Sequence, residues 1–234
     1  LKHCWLSTCG TMANENALKM ARQKNSPAKY VVAMENAFAG RSTMMAELTD
    51  NLNYKQGLPS YNEVLRVPFY DKFNPEKSKD AALQKMKENI DKHKGDIAAF
   101  CFEPMIGEGG YRVAQLDYYK PLFEECRKNN IAIWADEVQT FLRTGEAFAF
   151  QTLGFSDYVD LCSIAKTAQI GATLYTSDYN PKPGLIAGTY GGTTVALNTG
   201  LAVLDEMETG NYFGSGGRVE AIHNKFISEL NKLC

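Results

Sequence analysis

The chain has 234 residues, 44% hydrophobic and 22% charged, an ordinary globular mixture with enough length to bury a sizeable core. Its formal net charge of -2 gives no electrostatic footprint for nucleic acid or an anionic membrane, and no apolar run reaches the roughly 18–20 residues of a membrane span. Six cysteines (Cys4, Cys9, Cys101, Cys126, Cys162 and Cys234) form no CxxC pair, and several sit in apolar runs; they read as reduced thiols of a cytoplasmic protein rather than a disulfide framework.

Along the chain, short apolar runs alternate with longer amphipathic ones. Residues 12–23 have helical spacing, and 30–34 (YVVAM) read as a strand buried on both faces. Residues 49–75 carry Asn, Gly, Pro and several tyrosines without a clear period and read as a long excursion on the rim of a sheet. A helix is expected over 79–93, with its mixed charges on a solvated face, and a strand over 97–102. Leu116, Tyr119, Leu122, Phe123 and Cys126 mark one face of a helix over 116–129. Strands are expected at 131–135 and 158–164, and helices at 194–208 and 219–233. This alternation predicts an α/β fold, a three-layer sandwich around a mostly parallel central sheet. Leu1 opens directly on the apolar Cys4-Trp5-Leu6 and Cys234 falls inside a helical pattern, so a piece of a longer protein is expected. Residues 1–209 would form one large domain, and 210–234 the start of a C-terminal region.

In an open α/β sheet, ligands sit beyond the carboxyl ends of the strands. The polar residues that end the expected strands are therefore the candidates. The strand at 97–102 runs into Glu103-Pro104 and then Gly107-Glu108-Gly109-Gly110. The strand at 131–135 ends in Asp136-Glu137-Val138-Gln139, and that at 158–164 in Ala165-Lys166. Two acids and a lysine thus share one rim. A lysine there can be made nucleophilic by desolvation and its neighbours; a strand-end lysine paired with a carboxylate explains it equally well, and spacing leaves both open. Thr8, Gly10 and Thr11 open a helix and offer hydroxyls and free N–H groups to an anion, or merely cap it. The segment from Gly188 to Thr194 is a glycine-rich turn with hydroxyls that could approach a ligand.

Together these segments resemble the class III aminotransferases, pyridoxal-phosphate (PLP) enzymes of fold type I, in the family's order. Cys9-Gly10-Thr11-Met12-Ala13-Asn14-Glu15 is similar to its Ser-Gly-Ala/Thr-Glu-Ala-Asn-Glu. Phe38-Ala39-Gly40-Arg41-Ser42 is similar to Phe-His-Gly-Arg-Thr, with Ala39 where the family has His. The segment from Glu103 to Gly110 matches Glu-Pro-x-x-Gly-Glu-Gly-Gly, and Asp136 to Gln139, followed by Arg143-Thr144-Gly145, matches Asp-Glu-Val-Gln…Arg-Thr-Gly; Lys166 lies 30 positions after Asp136. Cys9 and Met12 also depart from the pattern, the stretch between Gln139 and Arg143 is one residue short, and a Phe-Gly-Gly-Asn-Pro run is missing after Thr193.

The resemblance implies PLP as cofactor, held as an imine on Lys166, which then shuttles a proton. Asp136 would pair with the ring nitrogen, Phe38 and Val138 would pack on the two ring faces, and Gln139 would bond the phenolic oxygen. Gly10 and Thr11 would bind the phosphate, with Thr193 reaching the phosphate of a neighbouring subunit in a homodimer. Glu103 and Glu108 fall to the substrate pocket, Glu108 matching a glutamate that pairs with a substrate-binding arginine; the arginine expected for a substrate carboxylate lies outside this sequence. The implied reaction moves an amino group from a primary, ω-type amine to a 2-oxo acid, with no nucleic-acid or membrane partner and no metal. The rivals are another PLP chemistry on the same fold, an aminomutase or decarboxylase, and a catalytically silent PLP-fold protein.

Overall fold

The computed structural model describes residues 1–233. Its strands are β1 (His3–Ser7), β2 (Tyr30–Met34), β3 (Val64–Val67), β4 (Ile97–Phe102), β5 (Met105–Ile106), β6 (Arg112–Val113), β7 (Ala132–Asp136), β8 (Leu161–Ile164) and β9 (Gly171–Tyr175). Its helices are α1 (Gly10–Lys24), α2 (Thr43–Leu48), α3 (Pro75–Lys92), α4 (Leu116–Lys128), α5 (Ala149–Thr152), α6 (Thr194–Thr209) and α7 (Arg218–Leu230). Cys234 lies outside the described residues.

Seven strands form one sheet in the order β1-β9-β8-β7-β4-β2-β3. The five from β8 to β3 run parallel, while β9 is antiparallel to both β8 and β1. Every residue of β4, β7 and β8 is buried, as strands covered on both faces must be. On one face, Phe100, Phe102 and Ile133 pack with Met86 of α3 and Leu122 and Phe123 of α4. On the other, Ala99, Cys101 and Trp134 pack with Ala17, Met20 and Ala21 of α1 and Met45 of α2. The expected three layers and mostly parallel sheet are therefore present.

Three features depart from the sequence reading. Residues 49–75 are not wholly irregular: β3 pairs with β2 and extends the sheet by one edge strand. Arg66 interrupts its apolar pattern because the guanidinium reaches across to the carbonyls of Met34 (3.1 Å) and Glu47 (3.0 Å). The strand expected at 158–164 is shorter and begins at Leu161, with Asp160 just before it acting as a bracket. Its carboxylate accepts two bonds from Arg127 Nη1 (2.7 and 2.8 Å) and one from the Ile133 N–H (2.8 Å), tying α4 and β7 to the start of β8. The third is the pair β1 and β9, whose antiparallel register joins segments about 170 positions apart.

The C-terminal helices are the least buried part. Helix α6 buries only Gly200, and α7 buries nothing; Val195, Leu201, Ile222 and Phe226 are exposed. The expected division at 209/210 falls at the end of α6. No helix among the described residues is long and apolar enough to cross a membrane.

The Asp160 bracket gives a stability prediction. Asp160→Ala leaves the buried Ile133 N–H without this acceptor and loosens Arg127, and urea denaturation should show a loss of about 1–3 kcal/mol.

Candidate active site

The carboxyl ends of the parallel strands open into a cavity of about 550 Å³, large enough for a substituted aromatic ring and a phosphate. Glu103 follows β4, Asp136 ends β7, and Lys166 lies two residues after β8. Of the ten residues singled out from the sequence, Gly10, Thr11, Phe38, Glu103, Glu108, Asp136, Val138, Gln139 and Lys166 all line this one cavity. Thr193 does not; it precedes the first residue of α6.

Two carboxyl groups form the floor. Asp136 is 4% exposed; its Oδ1 accepts the Val138 N–H (3.0 Å) and its Oδ2 accepts from Asn14 Nδ2 (2.6 Å). Burial pushes its carboxyl well above the ordinary range, and these two bonds and the Lys166 charge pull only part of the way back. Glu103 is 6% exposed and accepts the N–H groups of Phe38 (2.9 Å) and Gly107 (3.2 Å). Burial raises it too, and the negative charge of Asp136 adds to the rise. Glu103 thus lines the cavity while bracing the backbone of Phe38 and the turn after β4. The next acid, Glu137, points away and accepts the N–H groups of Ala149 (3.0 Å) and Phe150 (2.8 Å), so it is a structural anchor.

Lys166 donates to Gln139 Oε1, so the amine and the amide meet over the floor. Its backbone is in the left-handed region (φ +32°), uncommon for a side-chain-bearing residue and costing on the order of 1 kcal/mol. Arg143 steadies this turn by donating to Thr167 Oγ1 (2.7 Å) and the Gln139 carbonyl (3.2 Å).

At the other end, Cys9, Gly10 and Thr11 present the start of α1, whose first turn holds no acidic residue. The free N–H groups and the helix dipole favour an anion there. Gly10 must be glycine for close approach: a Cβ would sit 2.6 Å from a Val138 methyl. Phe38 borders the cavity, with Tyr54 edge-on to it at 5.7 Å and the Arg41 guanidinium 3.8 Å above the Tyr54 ring. Tyr54 Oη also donates to Glu108 (3.3 Å). Asn14, Arg41 and Tyr54 are residues the sequence reading left without a role. The first two stood inside recognised motifs; Tyr54 carried no signal, because only folding of the 49–75 excursion brings it to Glu108.

A three-layer α/β domain with a lysine, a buried acid and an anion-binding helix end in one crevice defines a cofactor-binding domain of the transaminase kind. Residues 2–234 match the family described as "Aminotransferase class-III", and the chain belongs to that family. It is 31% identical to a 4-aminobutyrate aminotransferase of Mycobacterium leprae over 94% of this chain and 53% of that one. It is likewise 31% identical to a succinylornithine transaminase/acetylornithine aminotransferase of Pseudomonas aeruginosa, over 98% of this chain and 55% of that one. Among solved structures, a lysine aminotransferase from M. tuberculosis in the internal aldimine form superposes with a TM-score of 0.82 at 24% identity, covering 90% of this chain and 54% of that one. An amine transaminase from an uncultivated Pseudomonas species gives 0.81 at 24%, covering 90% and 53%. The chain spans about half the length of the curated relatives it matches.

Class III aminotransferases use PLP, and the residues present fit that group. Asp136 is a buried acid with no arginine or lysine bonded to it among the described residues, a place for a ring-nitrogen cation. The α1 N-terminus suits the phosphate, Lys166 the aldehyde, and the side chains of Phe38 and Val138 border the space between.

The raised carboxyls make the stability of the PLP-free protein pH-dependent. The folded state holds protons near neutral pH that the unfolded chain releases at about pH 4. The stabilisation is therefore full below about pH 4 and is lost as pH rises through the folded values. Glu103→Gln should flatten this fall between pH 5 and 8 in urea titrations, by up to about 1.4 kcal/mol per pH unit for each proton.

Proposed function

We propose that this chain forms the cofactor-binding part of a PLP-dependent transaminase, moving an amino group from a primary, ω-type amine to a 2-oxo acid. The observation that carries the reading is the meeting of Lys166 and the buried Asp136 in one cavity with the free N-terminus of α1. The names of the similar proteins, which include 4-aminobutyrate and acetylornithine aminotransferases, support an ω-amine donor.

PLP supplies an aldehyde for a primary amine and a ring that accepts the electron pair left when a neighbouring C–H bond breaks. The chain's own residues do the rest. Lys166 Nζ would hold the cofactor and is placed to move a proton at the amine-bearing carbon. Asp136 keeps the ring nitrogen protonated, and Gln139 orients the phenolic oxygen. Gly10 and Thr11 hold the phosphate, Phe38 and Val138 confine the ring, and Glu103 fixes the backbone of Phe38. Glu108 and Tyr54, bonded to each other, border the approach of the donor. Arg41 stacks on the Tyr54 ring beside them.

We further read the protein as a homodimer in the cytoplasm, with Thr193 contributing to the partner's phosphate site. Exposed apolar Val195 and Leu201 on α6 support a subunit surface there. Among the described residues five cysteines are free, three of them buried, which supports a reducing compartment.

The test is covalent. PLP added to the purified protein should give a visible absorbance band that borohydride fixes on the Lys166 peptide, and Lys166→Ala should abolish both. An ω-amine alone should then yield one equivalent of carbonyl product per site. A label on another lysine, or none on a folded PLP-saturated protein, would overturn the assignment of Lys166.

A further inference from the structure

We propose that Asn14 is the positioning residue for Asp136, holding its carboxylate in place for the cofactor's ring nitrogen; the inference rests on the transaminase reading above.

Asn14 is 1% exposed on the inner face of α1, one turn beyond Gly10. Its Nδ2 donates to Asp136 Oδ2 (2.6 Å) and to the Ala39 carbonyl (2.7 Å). These two acceptors fix the amide's orientation, because the flipped amide would set its oxygen against both. The Ala39 carbonyl is itself held. The Ala39 N–H donates to Thr49 Oγ1 (3.0 Å), and that hydroxyl donates on to the Met45 carbonyl (2.9 Å). Asn14 therefore hangs Asp136 from a rigid frame of α1, the Ala39 backbone and the end of α2.

Among the described residues, Asn14 is the only side chain that donates to Asp136; the other donor is the Val138 backbone. Ala39, where the family pattern has a histidine, offers only a methyl group. Asn14 Oδ1 has no partner, although it is buried. A buried acceptor left unpaired costs about 1–3 kcal/mol, so this amide is not optimised for its own burial. What it provides is the Nδ2 bond. That bond also favours the ionised form of Asp136 against its burial. Helix α1 thus serves both ends of the cofactor site, its first turn facing the phosphate and its second holding the carboxylate.

The experiment is a double-mutant cycle on PLP affinity, read by equilibrium dialysis, with Asn14→Leu keeping the branched skeleton and removing the donor. Asn14→Leu should weaken PLP binding about tenfold, corresponding to about 1.4 kcal/mol. The same change in an Asp136→Asn background should cost less than twofold. In the PLP-free protein, Asn14→Leu should extend the fall of stability to higher pH, because the folded Asp136 sets its upper end and loses a bond that favours its ionised form. Equal losses in both backgrounds, with an unmoved pH profile, would mean that Asn14 only packs, and would overturn the proposal. Should Asn14→Leu not fold, Asn14→Ala is put through the same cycle and read in the same way. Failure of the wild type to bind PLP on Lys166 would sink the transaminase reading instead.

Discussion

A carboxyl group buried at the end of β7 is the constraint on which the site depends. Taking the Asp136 charge out of water is costly, and the fold returns only two hydrogen bonds, from Asn14 and Val138. Glu103, buried beside it, adds a second acid to the same floor, and the Asp136 charge strengthens its hold on a proton. An isolated domain gains nothing from such an arrangement. A ligand that brings a cation to Asp136 turns the cost into binding energy, because an opposite charge in a low-dielectric cavity interacts far more strongly than in water.

The parallel sheet places this carboxyl. In parallel strands the chain reaches the same edge at each strand's end, so Glu103, Asp136 and Lys166, dispersed over 64 positions, arrive on one rim. The helix that covers the opposite face of β7 and β8 begins at that same rim, so its anion-binding end and its Asn14 both face the cavity. Close packing fixes the distances: Gly10 lies against Val138, two residues from Asp136. A methyl group at position 10 would force apart the phosphate end and the ring end together.

Much of this was legible in the sequence. Strands 97–102 and 131–135 are continuous apolar runs, and both were found within one residue of β4 and β7. The floor of the site followed from the polar residues directly after them. What escaped had no local signal. Val64-Leu65-Arg66-Val67 hides a strand behind an arginine whose partners are carbonyls of other segments. Asp160 reads as an ordinary strand residue, and its carboxylate's bonds to Arg127 and Ile133 arise only in the fold. Asn14 and Asp136 are 122 positions apart, and Tyr54 and Glu108 are 54 apart. Hydrogen bonds between single polar side chains at such separations leave no periodicity to read.

The most direct measurement of the central claim is the infrared carboxyl stretch of the PLP-free protein at neutral pH, recorded before and after PLP is added. The part of the protonated-carboxyl band that Asp136→Asn removes should disappear as PLP binds, because a cation at Asp136 stabilises its ionised form, while Glu103 keeps its own contribution. Binding of PLP with that band unchanged would contradict the account, since Asp136 would then not be the group that meets the ring.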